Sequence, residues 1–153
     1  MGCKWINKVG LAAFQNNKLL VVRKQGTTDY ILPGGKPENN ESDLQALSRE
    51  ISEELGCKVL NPHFYGVFVD VATHSSNAVV VVRLYGARLD HKPKPRAEIE
   101  QIEWISLTKP NLQTLAPSIQ NKILPFLRRR YSDSKSIETS NDYSEKTDLF
   151  GLA

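Results

Sequence analysis

Cysteine is nearly absent, at positions 3 and 57 alone, so the chain carries neither a framework of disulfides nor thiols at metal-ligand spacing. Both read as reduced thiols. Also missing is any apolar run near the roughly 18 to 20 residues that a membrane span requires, and the first residues lack the charged-then-apolar layout of a secretion signal. The expectation is a cytoplasmic protein without a membrane partner. Met1-Gly2-Cys3 invites a lipidation reading, but Ile6 stands where a myristoylation signal wants Ser or Thr. There are no internal repeats.

A strong excess of one charge is lacking too, with 20 Lys and Arg against 17 Asp and Glu. The distribution is less even. Residues 132–153 hold five acids against Lys135 and Lys146, a balance of −3 that leaves +6 on the preceding body. A basic body suits an anionic substrate, although so modest an excess decides nothing alone. The same 22 residues are rich in Ser, Asp, Glu, Lys and Thr, which bury too little apolar surface to offset the entropy of ordering a chain. One domain is therefore expected over residues 1–131, followed by a flexible polar tail over 132–153. The apolar end of that tail, Leu149-Phe150-Gly151-Leu152, could dock on the domain or on a second copy in a homodimer, though a frayed terminus is the simpler reading.

What is present is a series of strands around one strong helix. Residues 9–14 and 18–23 read as two strands joined across Gln15-Asn16-Asn17. Tyr30-Ile31-Leu32 is stopped by Pro33-Gly34-Gly35, a loop of specified shape, because Pro fixes one torsion and Gly permits others. Leu44, Leu47, Ile51 and Leu55 recur at helical steps between Glu41 and Gly56, and Gly56 sits where a helix stops. Residues 59–72 and 78–89 read as long antiparallel strands, the stretch 78–82 central and covered on both faces. Residues 99–105 alternate as a further strand. Residues 117–131 carry Ile119, Ile123, Leu124 and Leu127 at helical spacing, with Pro125 placed to kink or interrupt the helix. Arg128-Arg129-Arg130 reads as a positive cap at its C-terminus.

The acids on the first helix carry the chemistry. Glu50 lies three residues from Glu53 and four from Glu54, so the three carboxylates share one helical face, about a quarter turn or more from the leucine stripe. Like charges so placed repel unless a cation is shared, and hard divalent ions are bound by carboxylate oxygens. A solvated acidic surface is the plainer alternative. Position argues against it, because the Pro-Gly-Gly loop can bring main-chain groups to the same pocket.

From Gly35 to Cys57 the chain runs Gly-x5-Glu41-x7-Arg49-Glu50-Ile51-Ser52-Glu53-Glu54-Leu55-Gly56-Cys57, which resembles the Nudix box, G-x5-E-x7-R-E-U-x-E-E-x-G-U with U bulky and aliphatic. Every fixed Gly, Glu and Arg matches; only Cys57 departs, at a packing position. The resemblance implies an α/β fold of the α/β/α sandwich type with a mixed central sheet, and a metal-dependent hydrolase of diphosphate linkages. It also implies roles. Glu53 and Glu54 would ligate Mg2+ or Mn2+, Glu50 would ligate metal or help activate water, and the carbonyl of Gly34 would add an oxygen. Arg49 would orient a box carboxylate, and Glu41 would be a helix-start acid or an outer ligand. Glu98, and less so Glu100, resembles a second acidic segment that supplies a ligand or base in relatives, with Gln101 where some have Glu. Gly35 and Lys36 would contact phosphate.

For the substrate, a nucleoside triphosphate, oxidised ones included, is the first expectation, giving a nucleoside monophosphate and pyrophosphate. A nucleotide sugar, ADP-ribose or dinucleoside polyphosphate is the alternative, and a nucleotide-binding regulator without catalysis is the reading from another class. Partners would be small molecules rather than a nucleic acid polymer. Thr73, His74 and Ser75 occupy the place of a Pro or Tyr associated with ADP-ribose or diadenosine polyphosphate enzymes, which weakly disfavours both. Tyr30, Phe14, Phe68 and Arg83 are candidate recognition residues, while Trp104 reads as core.

Overall fold

A computed structural model describes residues 2–72, 77–110 and 114–141, with side chains as far as Ser132. Residues 73–75 and 149–152, on which two of the expectations above rest, lie outside the described residues.

Two sheets share the molecule. The first contains β1 (Lys4–Ala12), β5 (Gly34–Gly35), β6 (Val59–Val71) and β7 (Ala78–Leu89) in the order β5-β1-β7-β6, with β1 parallel to β7 and the other pairs antiparallel. The second is built on β3 (Lys18–Lys24), which pairs with β2 (Phe14–Gln15), β4 (Tyr30–Ile31) and β8 (Ile99–Ser106). The apolar run over residues 9–14 is thus divided rather than forming one hairpin arm. Its first part belongs to one sheet, and the chain crosses at Ala13 into the other. Asn16 and Asn17 both take positive φ, 52° and 63°, between β2 and β3, the left-handed pair that a two-residue hairpin turn requires.

Helix α1 (Asp43–Leu55) starts two residues later than the apolar spacing predicts. Ser42 caps it by accepting from the N–H of Gln45, whose side chain bonds back to Ser42, and Gly56 ends it in the left-handed conformation. Leu47, Ile51 and Leu55 are buried against Val9, Leu11, Ala87 and Leu89, each contributing roughly 1.5–3 kcal/mol of burial. Leu44 belongs to the first exposed turn instead.

A second core lies on the other side, where Ile119, Ile123, Leu124 and Leu127 pack on Val82, Leu84, Val21 and Ile105. Here the closing helix is a π-helical turn (Ile119–Ile123) running into α2 (Leu124–Asn141), with Leu124 N–H donating to the carbonyl of Ile119. Pro125 explains the wide turn: it offers no N–H, and its ring crowds the carbonyl four residues back. The helix continues past Tyr131 to Asn141, into the segment that composition reads as tail. Arg128, Arg129 and Arg130 therefore lie within the helix and cap nothing. Arg128 donates to the carbonyl of Leu107, and Arg130 lies over the Tyr65 ring at 4.5 Å. The whole is a mixed-sheet α/β fold with a helix against each core, as the sequence predicts. No helix among the described residues is long and apolar enough to cross a membrane.

Candidate metal and phosphate site

Gly34 and Gly35 form β5 and pair with Gly10 and Val9 at the edge of the first sheet. A side chain at either position must displace a neighbour. At Gly34 (φ 136°) a Cβ would stand 2.1 Å from the carbonyl oxygen of Val9, and at Gly35 it would stand 2.4 Å from Cδ of Glu50. The loop and the acidic face of α1 are in direct contact for that reason.

Among the acids of the described residues Glu54 alone is buried, at 0% exposed. Its Oε1 accepts from the N–H of Gly34 at 2.8 Å, while Oε2 has no hydrogen-bond partner. Helical geometry accounts for the burial: Glu54 is next to Leu55 and three residues from Ile51, so it projects from the packed side of α1 and not from the solvated side expected for a run of acids. Burial pushes its carboxyl up to about 8, opposed by the Gly34 N–H. Burial also raises Glu50, opposed by Arg49 and reinforced by Glu53 and Glu98.

Oxygens of Glu50, Glu54 and Glu98 lie within 4.8 Å of one another. Glu98 reaches this point from the turn before β8, where its carbonyl accepts from Gln25 N–H at 2.8 Å and Ala97 takes positive φ. Three carboxylates, one of them buried with an unpartnered oxygen, form an oxygen-only donor set that fits a hard divalent cation. Glu53 is not brought into this group. Its side chain is half-exposed, and its nearest partner is Arg49 Nη1 at 3.5 Å, because position 53 lies farther round the helix from the buried face.

Arg49 organises the rim. It holds Glu41 through Nε at 2.8 Å and Nη2 at 2.9 Å, Glu50 through Nη1 at 3.0 Å, and the carbonyl of Lys36 through Nη2 at 3.1 Å. The Glu41 contact raises its pKa most, and Glu41 is lowered by the same bond. Glu100 instead forms a surface pair with Arg23 at 3.2 Å.

The acids open into a cleft lined by Gly35, Lys36, Lys8 and Lys24. Of these lysines only Lys36 was legible in the sequence; Lys8 and Lys24 sit in strands whose neighbours read as core. Burial and the charges of Lys24 and Lys36 hold the Lys8 ammonium below its ordinary pKa. A second, apolar cleft shares Ile6, Lys8 and Gly34 with the first and continues between Leu32, Val80, Val82 and Ile119.

The other candidate recognition residues stay away from both clefts. Tyr30 and Phe14 are buried in the core, and Phe14 borders a separate cleft with Arg88, His91 and Trp104. Phe68 packs edge-on against Phe126. Arg83 is bound to Asp43 at 2.9 Å, and Trp104 is partly buried against the core under α1.

Comparison with known proteins bears on the fold and the family. The family model described as the NUDIX domain matches residues 6–127. The mRNA-decapping enzyme subunit 2 of Saccharomyces cerevisiae (strain YJM789) is 27% identical over 103 residues, which is 65% of this chain and 11% of that protein. The mRNA decapping complex subunit 2 of Schizosaccharomyces pombe is 33% identical over 122 residues, 71% of this chain and 16% of that protein. The chain thus spans a small part of the length of these relatives. Among solved structures, the MutT protein from Methanosarcina mazei Go1 superposes with a TM-score of 0.69 at 22% identity, covering 84% of this chain and 97% of that one.

Proposed function

The chain belongs to the NUDIX family, and from that premise we propose that it is a pyrophosphohydrolase of phosphoanhydride substrates that cleaves nucleoside triphosphates, oxidised ones included, to a nucleoside monophosphate and pyrophosphate. The observation that carries this reading is the junction of the two clefts. A phosphate chain laid among Lys8, Lys24 and Lys36 would put an attached base into the neighbouring apolar cleft, because Ile6, Lys8 and Gly34 belong to both.

In this reading Glu50, Glu54 and Glu98 hold Mg2+, or Mn2+ in its place, with the Gly34 carbonyl as a further oxygen and Glu53 at the periphery. When bound, the ion polarises phosphoryl oxygens and lowers the cost of generating a nucleophile from water at neutral pH. The chain's own residues do the rest. Lys8, Lys24 and Lys36 neutralise the phosphates and orient them for in-line attack. Glu50, steered by Arg49 and raised in pKa by burial, accepts the proton of the attacking water. The new bond joins the water oxygen to phosphorus on one side of the α–β bridge, and the bridging P–O bond breaks with its electrons passing to the group on the other side, pyrophosphate for attack at the α phosphorus or the nucleoside monophosphate for attack at the β.

A second reading is favoured by the decapping relatives: a substrate with a nucleoside on each side of the polyphosphate, as in a capped RNA end. Chromatography of the products from a panel of nucleoside triphosphates, nucleotide sugars, dinucleoside polyphosphates and a capped RNA, each with Mg2+ and with Mn2+, separates the two. Fastest turnover of a triphosphate to monophosphate and pyrophosphate supports the first reading. A preference of tenfold or more for the capped or two-nucleoside substrates replaces it with the second.

A further inference from the structure

Helix α1 covers only half of the sheet face on which it lies. The register of β1, β7 and β6 places Trp5, Val79 and Val71 in one cross-strand row of that face, and Asn7, Val81 and Val69 in the next. The third row holds Val9, Arg83 and Val67. The stretch of β7 expected to be covered on both faces is therefore open on this one, with Val79 and Val81 half-buried. Trp5 is 61% exposed, Val67 53% and Val71 52%, and Phe64 is exposed in the same sheet face beside Tyr85.

We propose that this face is the contact of a symmetric dimer, two copies of the chain packing sheet against sheet. Three properties select a second copy as the occupant. The first is charge. A two-fold contact brings each residue near its own counterpart, so a charged patch would repel itself; here the one charged side chain in the three rows is Arg83, already neutralised by Asp43 with Nε at 2.9 Å from both carboxylate oxygens. The second is size. The exposed side chains offer on the order of 500 Å² of apolar surface, at the upper end of what a monomer leaves open. Doubled across a two-fold axis, this is about 1,000 Å², which meets the threshold of a specific interface. The third is shape. Alternating valines on three neighbouring strands make a ridged surface that interdigitates with an identical sheet about 10 Å away. The face spans β1, β7 and β6 through Trp5, Asn7 and their row partners, whereas the cleft beside the acids is lined on β1 by Ile6 and Lys8, which alternate to the other face of the strand, so dimerisation leaves the catalytic cleft open.

Sedimentation velocity of the full chain over roughly 1 to 100 µM tests this. The mass should rise toward twice 17.2 kDa. Val69→Lys, which places two ammonium groups at the symmetric contact, should weaken association by about a hundredfold or more and leave hydrolysis per chain unchanged, which also reports that the variant is folded. Val67→Lys should do the same, and Val69→Ile should remain dimeric. A parent chain that stays at 17.2 kDa throughout, whether its face is free or covered by its own C-terminal segment, overturns the proposal. So does a dimer that survives both lysine variants in active form.

Discussion

The backbone N–H of Gly34 donates to Oε1 of Glu54 at 2.8 Å, tying the glycine turn to the helix and leaving the second carboxylate oxygen buried without a partner. A buried, half-satisfied carboxylate is costly unless it is protonated or shares a cation. The acid cluster therefore has an order of importance that the motif alone does not provide.

Glu54→Gln should reduce kcat/KM by more than about a hundredfold, since outer contacts to a metal ligand alone are worth 10–100-fold. Glu53→Gln should cost less, because Glu53 is exposed and meets only Arg49. Steady-state kinetics at saturating Mg2+ reads the difference. Equal losses would place Glu53 in the cluster with Glu54.

Replacements at the two glycines should separate folding from catalysis. Gly34→Ala forces a Cβ onto the backbone of Val9, which cannot give way, so a loss on the order of 2–4 kcal/mol is expected in urea unfolding. Gly35→Ala meets the end of the Glu50 side chain instead. It should leave stability nearly intact while lowering kcat, and a variant with full activity contradicts the assigned position of Glu50.

The apo chain should lose stability as pH rises. Burial pushes Glu54 up to about 8 from an ordinary value of 4.5. Between these values the folded chain keeps a proton that the unfolded chain has released, so the contribution is full below the lower value and is lost as pH climbs through the upper one. A divalent cation replaces that proton. In chelator, Tm is expected to fall between about pH 4.5 and 8 and to level off above, and the rise in Tm caused by Mg2+ to grow over the same range. A Mg2+ increment that is flat with pH removes Glu54 from the ligand set.

Arg49→Lys keeps the charge but loses the planar fork that holds Glu41 through two nitrogens and Glu50 through a third. A fall of about ten- to a hundredfold in kcat is expected, together with a shift in the pH profile as Glu50 loses its partner. A structural role confined to the rim would lower Tm and leave the pH profile where it was.

Much of this arrangement was legible because its signals are local. The three-four spacing of Leu47, Ile51 and Leu55 and the stop at Gly56 mark α1, whereas its start at Asp43 is set by the Ser42–Gln45 capping box, which the apolar spacing does not show. Glu98 could be singled out only through resemblance, since nothing local says that a turn before β8 returns to the helix. Other features depend on contacts between distant segments. Glu54 looks like any helix-surface acid until the glycine strand is laid against it, and Lys8 is an isolated charge in an apolar run until β1 lines both clefts. The division of the run over residues 9–14 between two sheets is likewise set by partners, because β7 claims the part to Ala12 and β3 claims Phe14. Tyr30, an aromatic beside a glycine loop, fits a ligand platform as well as a core position by sequence, and packing between distant segments places it in the core.

The most direct measurement is Mn2+ binding by the parent chain and by Glu54→Gln, followed by electron paramagnetic resonance of the free ion. The parent should bind the ion, and the variant should bind at least about tenfold more weakly while keeping its fold. Equal affinity in the two would mean that the unpartnered oxygen beside Gly34 is not a cation ligand.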